Sequence, residues 1–459
     1  MSTIGSTDII AKNNGTTFAT DSNMAFLDEP YLICPQVQAN SSGREWTGTF
    51  NFGATAFTTT PVADHTGIYS SLLPEPTVKK PDDFYKTVIY TGNGSTQSIT
   101  DVGFQPDFVW IKNRDQGDDH VLFDSIRGAA QYISTTEGGT SSVAETTDAD
   151  TLTSFTSNGF NIGDDDKVNT NTEKYMAWCW KAGGAPTVDN NNTSGAMDDG
   201  SVFKSGAVQN SYTPSGSPSN YPRKMTIASH GGFSIVEYVG TGANATVPHG
   251  LDRTPDFFMV KCTDHAFSFG GYHSAFGTGS GNDKTITWNS TGVATDQSGL
   301  AWQNNPFQNN HCITFGSQTG QNGSGDEHIM YIWARTPGLI GIGSYIGNGN
   351  SDGPGIVIED GASGFMPAWV MFKNVSAAGY GWNIYDVARE TFNPMQLAAA
   401  ANSTPAEGNV ATTKHDWLSN GFKIRGTAGE VNGNGNVIIY LAMAEHPFGG
   451  DGVSQARAR

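Results

Sequence analysis

Apolar positions along this chain fall in short runs separated by turn residues, and one run recurs three times. Phe104-Gln-Pro-Asp-Phe-Val-Trp-Ile-Lys112 is the first copy, Arg253-Thr-Pro-Asp-Phe-Phe-Met-Val-Lys261 the second and Phe365-Met-Pro-Ala-Trp-Val-Met-Phe-Lys373 the third. In each, a lysine stands six residues after the proline. The run is too short for a globular helix and rich in aromatic and β-branched residues, which predicts a strand. Both of its faces are apolar, Phe108 and Trp110 on one and Val109 and Ile111 on the other, so the strand is expected to be buried on both sides. The proline precedes it, where no ladder N–H is needed. Recurrence of one strand signature predicts a repeated folding unit.

Around each copy the other runs repeat in order. Unit one, residues 84–184, opens with Thr87-Val-Ile-Tyr90 and closes with Glu173-Lys-Tyr-Met-Ala-Trp-Cys-Trp180. Unit two spans 233–338 and unit three 341–449, the last two with almost no linker. Ser157-Asn-Gly-Phe160 and Ser419-Asn-Gly-Phe422 place Asn-Gly between apolar runs, a strong hairpin signal. Five or more turn-separated strands per unit predict an all-β fold: tandem antiparallel β-sandwiches, jelly-roll-like. The best helix candidates are residues 124–131 and 385–389. Residues 185–230, rich in Gly, Ser, Asn and Pro, read as a connector lying mostly in surface loop. Residues 1–80 read as an irregular N-terminal attachment arm with a few strands, one or two of them in 46–60.

Composition sharpens this. Glycine (57 residues) is frequent and charged residues are only 15%, as expected for many short strands and turns, while 11% aromatics are ample for cores. A net charge of −19 with no Lys/Arg cluster argues against nucleic acid. No apolar run is long enough to span a bilayer as a helix, and the first residues lack a signal-peptide pattern. Cys34, Cys179, Cys262 and Cys312 show no C-x-x-C spacing and read as buried thiols rather than disulfides or a zinc site.

Candidate chemistry is sparse. Gly92-Asn-Gly94, Gly240-Thr-Gly242 and Gly347-Asn-Gly349 lack the third glycine and the following helix of a dinucleotide loop and read as turns. Asp107 and Asp256 become Ala368 in unit three, which excludes one catalytic aspartate per unit and suggests a strand-edge cap. Lys112, Lys261 and Lys373 share one position, and a structural cross-strand pair with Asp124 and Asp386 (His273 replacing them in unit two) or an exposed strand end is expected, with a ligand-binding lysine the alternative. The acidic stretches Asp115-Gln-Gly-Asp-Asp119 and Gly163-Asp-Asp-Asp166 read as solvated turns, with calcium the alternative. Sugars stack on flat aromatic faces; most tryptophans here are expected in cores, and Trp288 and Trp302, in polar surroundings, are the weaker core candidates, with glycan contact the alternative. No catalytic residue, metal or cofactor is expected, and the protein is not expected to be an enzyme.

Tyr90-Thr-Gly-Asn-Gly-Ser-Thr-Gln-Ser-Ile99, Gln105-Pro-Asp-Phe-Val-Trp-Ile-Lys-Asn-Arg114, Ala177-Trp-Cys-Trp-Lys-Ala-Gly-Gly184 and Ala444-Glu-His-Pro-Phe-Gly449 resemble a repeat module in structural proteins of tailed bacteriophages, marine ones especially. The resemblance covers residues 75–449. Residues 51–76 resemble the end of a SPRY-like domain, of which only a fragment fits. The resemblance implies a virion protein: a tail fibre or tail-associated adhesin meeting host glycan or protein through exposed loops, or else a capsid decoration protein or head fibre. A glycan-processing tailspike fits less well, because the carboxylates are scattered. It also implies docking to other virion proteins through residues 1–80 and self-association, as a trimer by analogy.

Overall fold

The computed structural model describes residues 73–136, 144–277, 283–307 and 310–450, and the backbone of two strands nearer the N-terminus. The chain divides into two compact bodies, 1–73 and 74–459. In the first, Ile9–Asn13 pairs antiparallel with Thr16–Asp21. The strands expected in 46–60, and Cys34, lie outside the described residues.

The second body holds the three units, and the β character read from the sequence is what they have. In unit one, a six-stranded sheet runs in the order Tyr85–Thr91, Lys174–Trp180, Phe108–Asn113, Val121–Asp124, Gln131–Ser134, Thr146–Thr147. A three-stranded sheet, Gln97–Ile99, Gly159–Ile162, Leu152–Thr156, covers one face. Unit three repeats this plan with Ile340–Ile346, Val437–Pro447, Phe365–Asn374, Trp382–Asp386, Leu397–Ala400 and Gly408–Asn409 in the large sheet. The Asn-Gly pairs make the expected turns: Asn158 and Gly159 join two adjacent strands, as do Asn420 and Gly421. Gly421 is required there, because a Cβ would overlap the carbonyl oxygen of Ile356 on the neighbouring strand.

Unit two has the same centre, Phe233–Val239, Glu327–Trp333, Phe257–Cys262 and Gly270–His273. Most of residues 185–230 is loop, as expected, but the stretch also adds strands to this sheet. Lys224–Ile227, Val202–Lys204 and Ala207–Val208 extend its large sheet to seven strands, with one parallel pair, Val202–Lys204 against Lys224–Ile227. Met197, Val202, Met225 and Ile227 supply the buried anchors that a connector would lack.

The two helix candidates are turns. The Asp124 side chain accepts from the N–H groups of Ile126 and Arg127 (3.1 and 2.9 Å), and Gly128 then takes a positive φ of 93°. This side-chain capping competes with helix and wins over so short a stretch. Asp386 caps Arg389 N in the same way at 3.1 Å. The helices that do form are single turns elsewhere, Asp166–Asn169, Thr319–Asn322 and Gly429–Asn432.

What buries the second face of each recurrent strand is the neighbouring unit. Val109 and Ile111 pack toward the small sheet with Ile99, Phe160 and Ile162. Phe108 and Trp110 enter a common core with Trp178, Trp180, Phe257, Trp288, Trp333, Trp369 and Trp382. Ring centroids there lie 5.3 Å apart for Trp110 and Trp288 and 5.6 Å for Trp180 and Trp369. Aromatic pairs at such distances contribute roughly 0.5–1.5 kcal/mol each beyond area burial.

Around this core the units join head to tail. The N–H of Glu145 in unit one bonds the carbonyl of Thr263 in unit two (2.8 Å). Glu407 N in unit three bonds Arg114 O in unit one (3.1 Å), and Ala294 N in unit two bonds Val375 O in unit three (3.3 Å). The three acceptors each stand two residues after the recurrent lysine, so one contact is made three times and the ring closes. Interfaces of this heterologous kind close into a ring when the rotation permits.

Candidate functional site

The repeated polar side chains can be followed one by one. The lysine expectation is corrected. Lys112 is buried, and its ammonium donates to the carbonyls of Asn113 (2.7 Å) and Gln116 (3.0 Å). Lys261 does the same with Cys262 and His265 (2.6 and 3.1 Å), and Lys373 bonds Tyr380 and Ser290 (2.5 and 3.3 Å). Each ammonium ties down a loop. Burial pulls Lys112 and Lys261 down to about 8.

Asp124 and Asp386 instead pair with arginines three residues on. Arg127 Nε lies 2.6 Å from Asp124 Oδ2, and Arg389 Nε 2.6 Å from Asp386 Oδ2. The second arms reach Glu145 (2.8 Å) and Glu407 (3.3 Å), at the same sequence spacing in both units. The aspartates also face the next unit. Tyr331 OH donates to Asp124 Oδ2 (2.7 Å) and Trp178 Nε1 to Asp386 Oδ2 (3.0 Å). Strand register puts Tyr331 and Trp178 at one position of the repeat, with Leu441 as the third. His273 occupies the aspartate position in unit two, lies 3.4 Å from the carbonyl of Tyr440, and is held neutral by burial, down to about 3. Asp107 accepts from Ser125 Oγ (2.8 Å) and Ala182 N (2.6 Å), and Asp256 from Arg335 N (2.9 Å), the edge-capping arrangement expected. Burial raises Asp107 to about 6.

The Gly-x-Gly stretches are turns pinned by an asparagine that the sequence reading missed. Asn169, Asn322 and Asn432 close the three single-turn helices and are buried. Each accepts from the middle residue of the turn: Asn93 N at 2.9 Å, Thr241 N at 2.8 Å, Asn348 N at 2.9 Å. Each amide donates to two carbonyls, those of Ser95 and Gly163, Ala243 and Gly316, Asn350 and Gly426. The signal was a buried-type asparagine recurring at one distance before the last long strand of each unit.

Among the described residues no group of three or more His, Cys, Asp or Glu is placed to hold a metal. In the acidic stretches, Asp118 accepts from Asn113 Nδ2 (2.6 Å) and Asp165 caps Lys167 N (2.8 Å). Cys179, Cys262 and Cys312 are buried and in no disulfide, with Cys312 Sγ 3.6 Å from Ser215 O.

Trp288 and Trp302 are not surface rings. They are 1% and 0% exposed, and a buried face cannot stack on a sugar in solvent. Their polar sequence neighbours lie on loops folded over them. Trp302 Nε1 bonds Lys284 O (3.2 Å), and Trp288 stands behind Phe269, centroids 5.6 Å apart.

Phe269 leads to a cavity with room for a small molecule. This cavity, of about 320 Å³ in unit two, is lined by Phe267, Phe269, Gly270, Thr285, Gln318 and Gln321, with Thr287, Gln297 and Thr319 at its margin. Gln321 is 6% exposed and its amide borders the cavity. It lies over Gly270, where a Cβ would overlap it. Thr285 Oγ1 is buried without a hydrogen-bond partner. Buried polar groups are ordinarily hydrogen-bonded, so an unpartnered hydroxyl on this cavity is notable.

Fold and contacts define an all-β protein of three sandwiches closed into a ring, with a cavity in the middle unit lined by polar and aromatic side chains. The chain belongs to the family described as Domain of unknown function (DUF7483), whose model matches residues 80–218 and again residues 203–447. No curated protein and no solved structure matches it.

Proposed function

We propose that this protein is a structural component of a tailed-bacteriophage virion, a tail fibre or tail-associated adhesin that meets the host surface through exposed loops. The observation that carries the non-catalytic part of this reading is where the repeated charged side chains go. Asp124, Arg127, Asp386, Arg389 and the three lysines tie loops and units together. No described cleft gathers them for acid–base work. The motifs resembling phage structural modules supply the setting. Residues 1–80 would dock on other virion proteins, and self-association would present several copies of each loop.

Gold-labelled antibody against this protein, imaged on intact virions, tests the reading. Label on the tail or its fibres is expected. Label spread over the capsid overturns the adhesin reading and leaves a decoration protein or head fibre in its place.

A further inference from the structure

The cavity in unit two exists because two positions of the repeat have changed. The third residue of the single-turn helix is Val168 in unit one and Val431 in unit three, both fully buried in their own cores. In unit two it is Gln321. The residue facing the recurrent strand at the register of Ile111 is Val121 in unit one. At the matching register, opposite Val260, unit two has Gly270. Relative to unit one, a valine pair is thus replaced by an amide lying in the space a missing side chain leaves; unit three keeps Val431 but has Asn383 at the strand position.

We propose that this cavity binds one residue of an uncharged sugar, with Gln321 and Thr285 reading its hydroxyls. Sugar hydroxyls both donate and accept, and a glutamine amide or threonine hydroxyl meets either need. The lining carries no charged side chain, which disfavours phosphates, carboxylates and cations. An apolar ligand would leave the Thr285 hydroxyl unsatisfied. Half-buried Phe267 offers a ring to the C–H face of a pyranose, and Phe269 is fixed behind by Trp288 and by the bond from its N–H to Asn289 Oδ1 (3.2 Å). Ligand pockets commonly hold about 300–1,000 Å³, and 320 Å³ is at the small end, suited to a single ring. The assignment deepens the adhesin reading and rests on it for its biological setting, while its chemistry stands on the cavity.

Saturation-transfer NMR on the full chain with glucose, galactose, mannose and N-acetylglucosamine, and glucuronate as charged control, tests it. Transfer from at least one neutral sugar and none from glucuronate is expected. Gln321→Val restores the residue that both sister units carry and Gly270→Val the one that unit one carries, and both variants are expected to fold, as melting curves would verify. Each should weaken the sugar about tenfold or more, the worth of one good hydrogen bond. No transfer from any of the four sugars, or transfer unchanged in both variants, overturns the proposal. Sugar binding lost in Gln321→Val while gold label lies on the capsid would keep the pocket and remove the adhesin reading. Tail label without sugar binding would do the reverse.

Discussion

Tyr331 of unit two donates its hydroxyl to Asp124 of unit one at 2.7 Å, and Asp124 is at the same time paired to Arg127. The same arrangement recurs between Trp178 and Asp386, so one buried carboxylate serves both its own turn and the neighbouring unit at two of three interfaces. Removing the cation leaves that charge uncompensated. Arg389→Met is expected to destabilise the protein by about 3–5 kcal/mol, and Tyr331→Phe by roughly 1–2 kcal/mol. Urea unfolding followed by tryptophan fluorescence measures both. An Arg389→Met protein as stable as wild type would show that the pair does not hold the ring.

The asparagine clamp makes a local prediction. Asn432→Ala removes the acceptor for Asn348 N in the Gly347–Gly349 turn and the donors to the carbonyls of Asn350 and Gly426, and should cost on the order of 1–3 kcal/mol. Amide exchange at Asn348, whose N–H bonds Asn432 Oδ1, should speed up more than exchange at Asn93, in the untouched clamp of unit one. Equal acceleration at both would mean global loosening instead.

His273 predicts how acid acts on the ring. Burial, with the charge of Arg335 adding to it, holds the folded imidazole down to about 3, against an ordinary value near 6.5. The unfolded chain therefore takes up this proton first. The stability linked to His273 is present above about pH 6.5 and is lost as pH falls toward 3. In His273→Asn, whose amide can still cap Ala275 N, the fall in melting temperature between pH 7 and 4 should be shallower. An unchanged slope would assign the acid sensitivity to other groups.

Lys112 and Lys261 act at the other end of the scale, with the same sign. Their folded values, about 8, lie below the ordinary 10.5, so between pH 8 and 10.5 the unfolded chain holds more protons. Their contribution to stability rises with pH across that window. Lys112→Met should reduce the rise, as urea titrations at pH 8 and 10 would show.

Much of the fold was legible because it is written in local patterns. The recurrent strand, the Asn-Gly turns and the Gly-x-Gly turns each need only a few neighbouring residues to declare themselves. The two-faced apolarity of residues 108–111 announced burial on both sides, but what covers the second face is a set of residues hundreds of positions away, such as Tyr331 on Phe108. The Asp-x-x-Arg turns at 124 and 386 looked helical because an ion pair three residues apart suits a helix equally well. Real helices of one turn are too short to show a period. The cavity was missed for a related reason. Gln321 looks like an ordinary loop residue until it is laid beside Val168 and Val431, and that comparison needs the helices aligned. Trp288 and Trp302 stood out only as weaker core candidates because polar neighbours in sequence say little about depth.

A ring built from three separate copies of one chain would repeat every substitution three times. Here the three thirds are encoded independently, so a change enters once. Two of them carry the arginine–aspartate lock, and the middle third has His273 in place of the aspartate and Gln321 where the other two have valine. Division of labour of that kind, two members bearing the frame and one released from it, is open only to a ring whose members share a single polypeptide.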